Sequence, residues 1–294
     1  MNARMADRWA TTMFWVGALT VLLILSFLLG YVFLHGFKTI TWHFLTAPPE
    51  TIRAGGGIGP QIFNSFYLLF LTMLITTPVG IMAGVYMAEY AGRNRITEAI
   101  RLSIETLTSL PSIVVGLFGL LLFVNKTGWG FSLIAGALAI SVINLPFMVR
   151  MSEEAIRVVP DEMREASLAL GASQWQTIWK VILPSALPGL ITGAIIAAGR
   201  VFGEAAALLY TAGMSSPALN FNNLDITSSA SPLSPFRPAE TLAVHIWKIN
   251  SESLIPDVRQ VADGASAFLL FIVLVFNIMA RWVGRLVHRR LTSS

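Results

Sequence analysis

Long uncharged apolar runs alternate with short polar stretches along almost the whole chain. Residues 13–34 carry no charged side chain, and at about 1.5 Å per residue such a helix runs to roughly 33 Å, enough to cross a bilayer. The same pattern predicts spans over residues 62–88, 106–125, 128–149, 183–210 and 264–280, the last running on through Trp282 toward His288. The short link 125–130 makes spans three and four a helical hairpin. Pro78, Pro111 and Pro146 fall within or beside these runs as candidate helix breaks, tolerable where neighbouring helices re-satisfy the backbone. Gly80 and Gly84 open a face for close helix–helix approach.

Composition turns this pattern into a class. Of 294 residues, 55% are hydrophobic and only 12% charged, about half the roughly 25% charge of soluble domains. The mean hydropathy of +0.69 leaves too little polar surface to face water. The expectation is an all-α, multi-pass integral membrane protein with six transmembrane helices. It divides into 1–61 (first span and external loop) and 62–288 (the main transmembrane domain). The net charge of +4 is explained by membrane orientation, so nucleic acid is not an expected partner. Thirteen Lys and Arg lie on the side of the termini, in the loops around 93–101 and 150–180 and in the tail, against six on the other side. Both termini are therefore expected in the cytoplasm, and the first run reads as an uncleaved anchor.

The chain has no cysteine, which excludes disulfides and thiolate chemistry. His35, His43, His245 and His288 are scattered without metal-ligand spacing, so no metal is expected. The dipeptide Gly-Lys does not occur, so ATP binding through a P-loop is excluded for this chain. Nothing pairs a nucleophile with a base. A catalytic role for the chain is not expected.

Three loops go beyond connection. Residues 211–262 lie outside, with a Ser/Pro-rich stretch at 228–235 that reads as a flexible loop, and an interfacial helix over 239–250. Residues 35–61, also outside, contain Gly55, Gly56 and Gly57, which read as a linker in preference to a phosphate cradle. Residues 150–184 are polar, cytoplasmic and helical in pattern. Pro160, Asp161 and Glu162 suit a helix start and Gly171 its stop, while Ser173 with Gln176 forms a capping box that opens a second helix over 174–183. That folded turn reads as an amphipathic surface segment or as a docking element for a soluble partner.

Within it, Glu165-Ala166-Ser167, three residues, Gly171, nine residues and Val181-Ile182-Leu183-Pro184 resemble the "EAA loop" of bacterial ABC-importer permeases. Ser167 and Val181 are mild departures from that pattern. The resemblance implies a type I (MetI-like) permease fold in the inner or plasma membrane, with Arg164, Glu165, Ala166, Ser167 and Gly171 coupling it to a cytoplasmic ATPase. Segments 77–90 (TPVGIMAGVYMAEY), 111–118 (PSIVVGLF) and 200–205 (RVFGEA) further resemble the A-type permeases of high-affinity phosphate transporters. This implies phosphate import with a second, C-type permease, a dimer of ATP-binding subunits using ATP and Mg, and an external phosphate-binding protein. No cofactor is expected on this chain. The C-type phosphate permease, a permease for sulfate or molybdate, an ion-coupled carrier and a membrane signalling subunit are the alternatives.

Arg200 and Glu204 fall inside the fifth run, where each charge costs about 2.5–3.5 kcal/mol near mid-bilayer. Four residues apart on one expected helix, they read as a structural ion pair or as a charged element of the translocation path, with Glu204 holding Arg200. Arg suits phosphate because its planar donors engage two oxygens together. Glu89, Asn144, Phe118, Trp129 and Trp247 read more simply as interfacial, packing or anchoring residues.

Overall fold

The computed structural model describes residues 3–50, 53–92, 94–252 and 255–292, with the backbone alone at residues 3, 6 and 287–292. Arg93 and the side chains of His288, Arg289 and Arg290 lie outside the described residues. Among these the regular structure is helical throughout: α1 (Ala3–Gly36), α2 (Trp42–Thr46), α3 (Gly59–Val85), α4 (Arg95–Ser109), α5 (Ser112–Gly119), α6 (Leu133–Arg157), α7 (Asp161–Ala169), α8 (Gln174–Thr177), α9 (Leu183–Phe202), α10 (Ala206–Leu209), α11 (Leu242–Glu252) and α12 (Val258–Thr292). Wider π-helical turns extend α3 (Tyr86–Tyr90) and α5 (Leu120–Lys126), and join α8 to α9 (Ile178–Ile182).

Among the described residues, five helical stretches are long and apolar enough to cross a membrane, and the bent pair Arg95–Ser109 and Ser112–Lys126 makes a sixth if taken as one span. That pair corrects the expected third span. The chain turns by 97° between α4 and α5, because Pro111 disfavours helix at the residue before it and Leu110 is extended. The membrane-crossing part therefore starts at Ser112, not at residue 106, and α4 is a separate amphipathic helix capped by the Asn94 side chain on Thr97 N–H at 2.8 Å. Pro111 breaks a helix as expected. Pro78 and Pro146 do not: each sits inside a continuous helix, α3 and α6. One missing N–H is tolerated where a long helix is packed on both sides.

Helix α3 lies along α6, and α9 packs between α6 and α12. Lipid is as apolar as leucine, so hydrophobicity alone does not hold such helices together; close packing and interhelical hydrogen bonds do. A Cβ at Gly80 would land on Met148 Cβ and one at Gly84 on Ser152, so these two glycines set the α3–α6 approach. Asn144 Nδ2 donates to Thr76 Oγ1 across the same seam at 3.0 Å. Such a bond contributes about 0.6 kcal/mol on average, so the backbone contact over many residues is the larger factor. Helix α1 joins the bundle through α12, with Gly36 seated on Asp263 and Ala267, and its remaining length is exposed.

The external loop is not a flexible tether. Ser231, Ser234, Arg237, Ala239, Glu240 and Thr241 are buried. The first amides of α6 have no partner within their own helix, and the loop supplies them: Leu133 N–H donates to Arg237 O (3.0 Å) and Ile134 N–H to Pro235 O (2.9 Å). The helix expected over 239–250 begins at Leu242, and its apolar face (Leu242, Val244, Ile249) is buried in the bundle, not at the headgroups. The glycine run is a packed turn, with Gly55 N–H given to Asp257 Oδ2 at 2.8 Å and Gly57 N–H to Pro48 O at 2.9 Å.

Candidate functional site

At the cytoplasmic end the turn signals fold as they read, but the helix expected over 174–183 does not stop there and runs on to Phe202. Helix α7 opens on Pro160 with Asp161 and Glu162 in its first turn. It stops because Gly171 adopts φ +86°, a left-handed conformation costly for residues with a Cβ. Gly171 N–H reaches Leu168 O (2.9 Å) and Ala172 N–H reaches Ser167 O (3.2 Å), closing the helix end. The capping box is formed: Gln176 N–H donates to Ser173 Oγ (3.3 Å) and Ser173 N–H to Gln176 Oε1 (2.9 Å). Ser167 and Thr177 hydroxyls meet at 2.9 Å and clasp α7 to α8.

The five expected coupling residues divide in two. Glu165, Ala166 and Gly171 are exposed, and Leu170 beside them is 90% exposed. Arg164 and Ser167 turn inward. The Arg164 guanidinium lies against Glu89 Oε1 (2.9 Å), Asp161 Oδ1 (2.8 Å), Val159 O (2.6 Å) and Ile156 O (2.9 Å). α7 buries no side chain, so these polar contacts hold it. Close by, Glu153 bridges Arg101 of α4 (2.7 Å) and Arg157 of α6 (2.9 Å).

Toward the end of α9 the structure separates what the sequence pairs. α9 ends at Phe202, with Gly203 as its cap, so Glu204 is not on the helix that carries Arg200. Instead, Glu204 Oε1 accepts from Ala207 N–H at 3.3 Å and caps the short α10. The expected Arg200–Glu204 ion pair is absent among the described residues. Arg200 is exposed, and its guanidinium lies 4.6 Å from the centre of the Phe147 ring, a cation–π contact. Arg200 and Glu204 line one hollow of about 340 Å³ between α6, α9 and α12, together with Asn144 and Asn277. The guanidinium there has no hydrogen bond or carboxylate among the described residues, which leaves its planar donors open to an anion.

A third polar cluster, at the external end, has no sequence motif. Gln61 and Asn64 of α3 meet Glu240, His245 and Lys248: Glu240 Oε1 is 3.1 Å from His245 Nδ1 and 3.4 Å from Lys248 Nζ, and Gln61 Nε2 donates to Glu240 Oε2 at 3.1 Å. Burial pushes the Glu240 carboxyl up, yet His245, Lys248 and Gln61 together hold it below the usual range. Arg237 is fully buried, donating to Asn64 Oδ1 (2.8 Å) and Pro232 O (3.1 Å), and burial lowers its pKa to about 10. The only available signal was a pair of charges, Arg237 and Glu240, at the end of a Ser/Pro-rich loop. Among the described residues no three His, Cys, Asp or Glu come together as a metal site.

Residues 76–293 match the family model described as "Binding-protein-dependent transport system inner membrane component". The chain is 55% identical over its full length, and that of its relative, to the "Probable ABC transporter permease protein YqgI" of Bacillus subtilis (strain 168). It is 36% identical to the "Phosphate transport system permease protein PstA" of Yersinia pestis, covering 81% of this chain and 75% of that one. A chain of a bacterial alginate ABC transporter shares the fold with a TM-score of 0.65 at 16% identity, over 96% of each. A chain of the MetNI methionine ABC transporter does so with a TM-score of 0.58 at 20% identity, over 76% of this chain and 93% of that one.

Proposed function

The chain belongs to the binding-protein-dependent transport system inner membrane components, a multi-pass membrane family, and from that premise we propose that it is half of the permease of an ATP-driven phosphate importer. Its similarity to phosphate permeases at 36% identity supports the substrate. The single observation that carries the reading is Arg200, a free guanidinium facing a hollow in the membrane. An uncompensated charge there is costly. A transported oxyanion satisfies it twice over, through bidentate hydrogen bonds that a lysine does not make.

The partners follow from what the chain lacks. Without a P-loop it needs ATP-binding subunits that bring ATP and Mg, and the exposed face Glu165, Ala166, Leu170 and Gly171 is where a dimer of them docks. Arg200 is exposed in the single chain, so a second permease of the C-type completes the path. An external binding protein delivers phosphate at the face formed by α11 and the loop before it.

The mechanism is alternating access. Gln174–Phe202 is one continuous 29-residue helix, roughly 43 Å at about 1.5 Å per residue. It begins beside the docking turn and carries Arg200 near its far end. ATP-driven movement of α7 and α8 therefore reaches Arg200 along one continuous helix and changes the side of the membrane to which the hollow opens. Asn144 and Asn277 offer neutral polar contacts, so the anion is held without a trap of several cations.

Labelled phosphate uptake in cells deleted for this chain, with and without its return, tests the substrate. Return of the chain should restore uptake that unlabelled phosphate suppresses and sulfate or molybdate does not. Suppression by sulfate or molybdate instead would assign the permease to another oxyanion.

A further inference from the structure

The cytoplasmic end of α3 carries a carboxylate that lies outside the EAA-loop pattern. Glu89 sits in the π-helical turn Tyr86–Tyr90 that extends α3, with its side chain only 9% exposed. Its Oε1 accepts from Arg164 Nε at 3.0 Å and lies 2.9 Å from Nη2. A second bond comes from beyond the turn, where Gln174 Nε2 donates to the Glu89 backbone oxygen at 3.1 Å. The end of α3 is thus gripped from both sides of Gly171, by α7 through Arg164 and by α8 through Gln174.

We propose that Glu89 is a positioning residue that transmits movement of the α7–α8 turn into α3. The proposal rests on the reading of that turn as the ATPase docking element. α7 fully buries no side chain, so its firmest hold on the end of α3 is this ion pair. A short, largely buried ion pair is directional where an apolar contact slides. From Glu89 the movement continues along α3 to the seam where Gly80 and Gly84 meet Met148 and Ser152, and so into α6, which forms one wall of the hollow. The turn then has two outputs: the continuous α8–α9 helix, which carries Arg200, and Glu89, which moves the facing wall. Relative displacement of the two walls is what opening the hollow requires.

Removing Glu89 leaves no stranded charge, because Arg164 keeps Asp161 and the carbonyls of Ile156 and Val159. The test therefore separates transmission from folding. In the full complex, reconstituted into vesicles with its partners, Glu89→Ala should give parental recovery of assembled complex and parental basal ATP hydrolysis. Labelled phosphate taken up per ATP should fall about tenfold. Glu89→Asp should regain a large part of that loss, and Glu89→Gln covers the case in which the alanine variant does not assemble. A contact that only holds the fold would lower the amount of complex and leave uptake per ATP unchanged, and that result overturns the proposal. Glu165→Lys, measured alongside, separates the two readings. If it uncouples while the Glu89 variants do not, the transmission proposal fails and docking stands. If neither uncouples, the docking reading fails with it.

Discussion

Two arginines in this chain show how one side chain serves opposite ends of a transport cycle. At the cytoplasmic end, Arg164 is saturated by two carboxylates and two backbone carbonyls. Near the far end of α9, Arg200 meets one aromatic face and an open hollow. A saturated guanidinium is a strut, because each contact resists displacement. A free one is a receptor, because its donors have yet to be used. The contrast teaches that intramembrane charge marks a site chiefly where the structure withholds the partner that sequence spacing predicts.

The largest effect is expected at the turn that holds the strut end. Gly171→Asp places a side chain at φ +86°, where L-residues are strained, and distorts the docking face. Uptake should fall by about a hundredfold, a change of roughly 2.7 kcal/mol, with the chain still inserted; ATPase stimulation by loaded binding protein, unchanged in the variant, would contradict the docking role. Next comes Arg164→Ala. It strands the nearly buried Glu89, which costs about 3 kcal/mol or more, so the amount of assembled complex in membranes should drop several-fold, read by quantitative blotting. Equal amounts would show that Arg164 is no strut.

At the other end of the comparison, Glu204→Gln should change little. The side chain caps α10 and does not hold Arg200, and the amide oxygen of Gln accepts the same Ala207 N–H. A loss of about 1 kcal/mol or less is expected, and uptake within about threefold of the parent. A loss as deep as that of an Arg200 variant would restore the ion pair that the structure lacks. The smallest effect concerns the external cluster. Glu240 has a folded pKa below its ordinary value, so its contribution is present above the unfolded pKa and is lost as pH falls through the folded one. Protease cleavage of the loop at 213–238 should therefore rise on acidification below the usual carboxylate range. Glu240→Gln should flatten that dependence.

These outcomes also mark where the sequence was legible. Signals that act within a few residues came through: the Ser173–Gln176 capping box, the stop at Gly171 and the close approach at Gly80 and Gly84 are all formed as read. Their physics is local, or needs one neighbouring helix. Readings that depended on where a helix ends in three dimensions failed. Spacing placed Arg200 and Glu204 on one face, but the chain leaves the helix at Gly203 and the face ceases to exist. A count of apolar residues extended the third span back to 106, although Pro111 turns the chain there. The external loop looked like a tether because its composition is polar, yet its carbonyls are the partners that the first amides of α6 require. Burial of Arg237 and Glu240 follows from that tertiary demand, which no window of sequence carries.

The central claim is that Arg200 is the open half of the comparison, available to the transported anion. It is tested most directly by labelled phosphate uptake in Arg200→Gln and Arg200→Lys variants, normalised to assembled complex in the membrane. The account predicts parental assembly for both, loss of uptake in the Gln variant, and partial uptake in the Lys variant, which keeps the charge and loses the planar fork. Full uptake by assembled Arg200→Gln complex would contradict it.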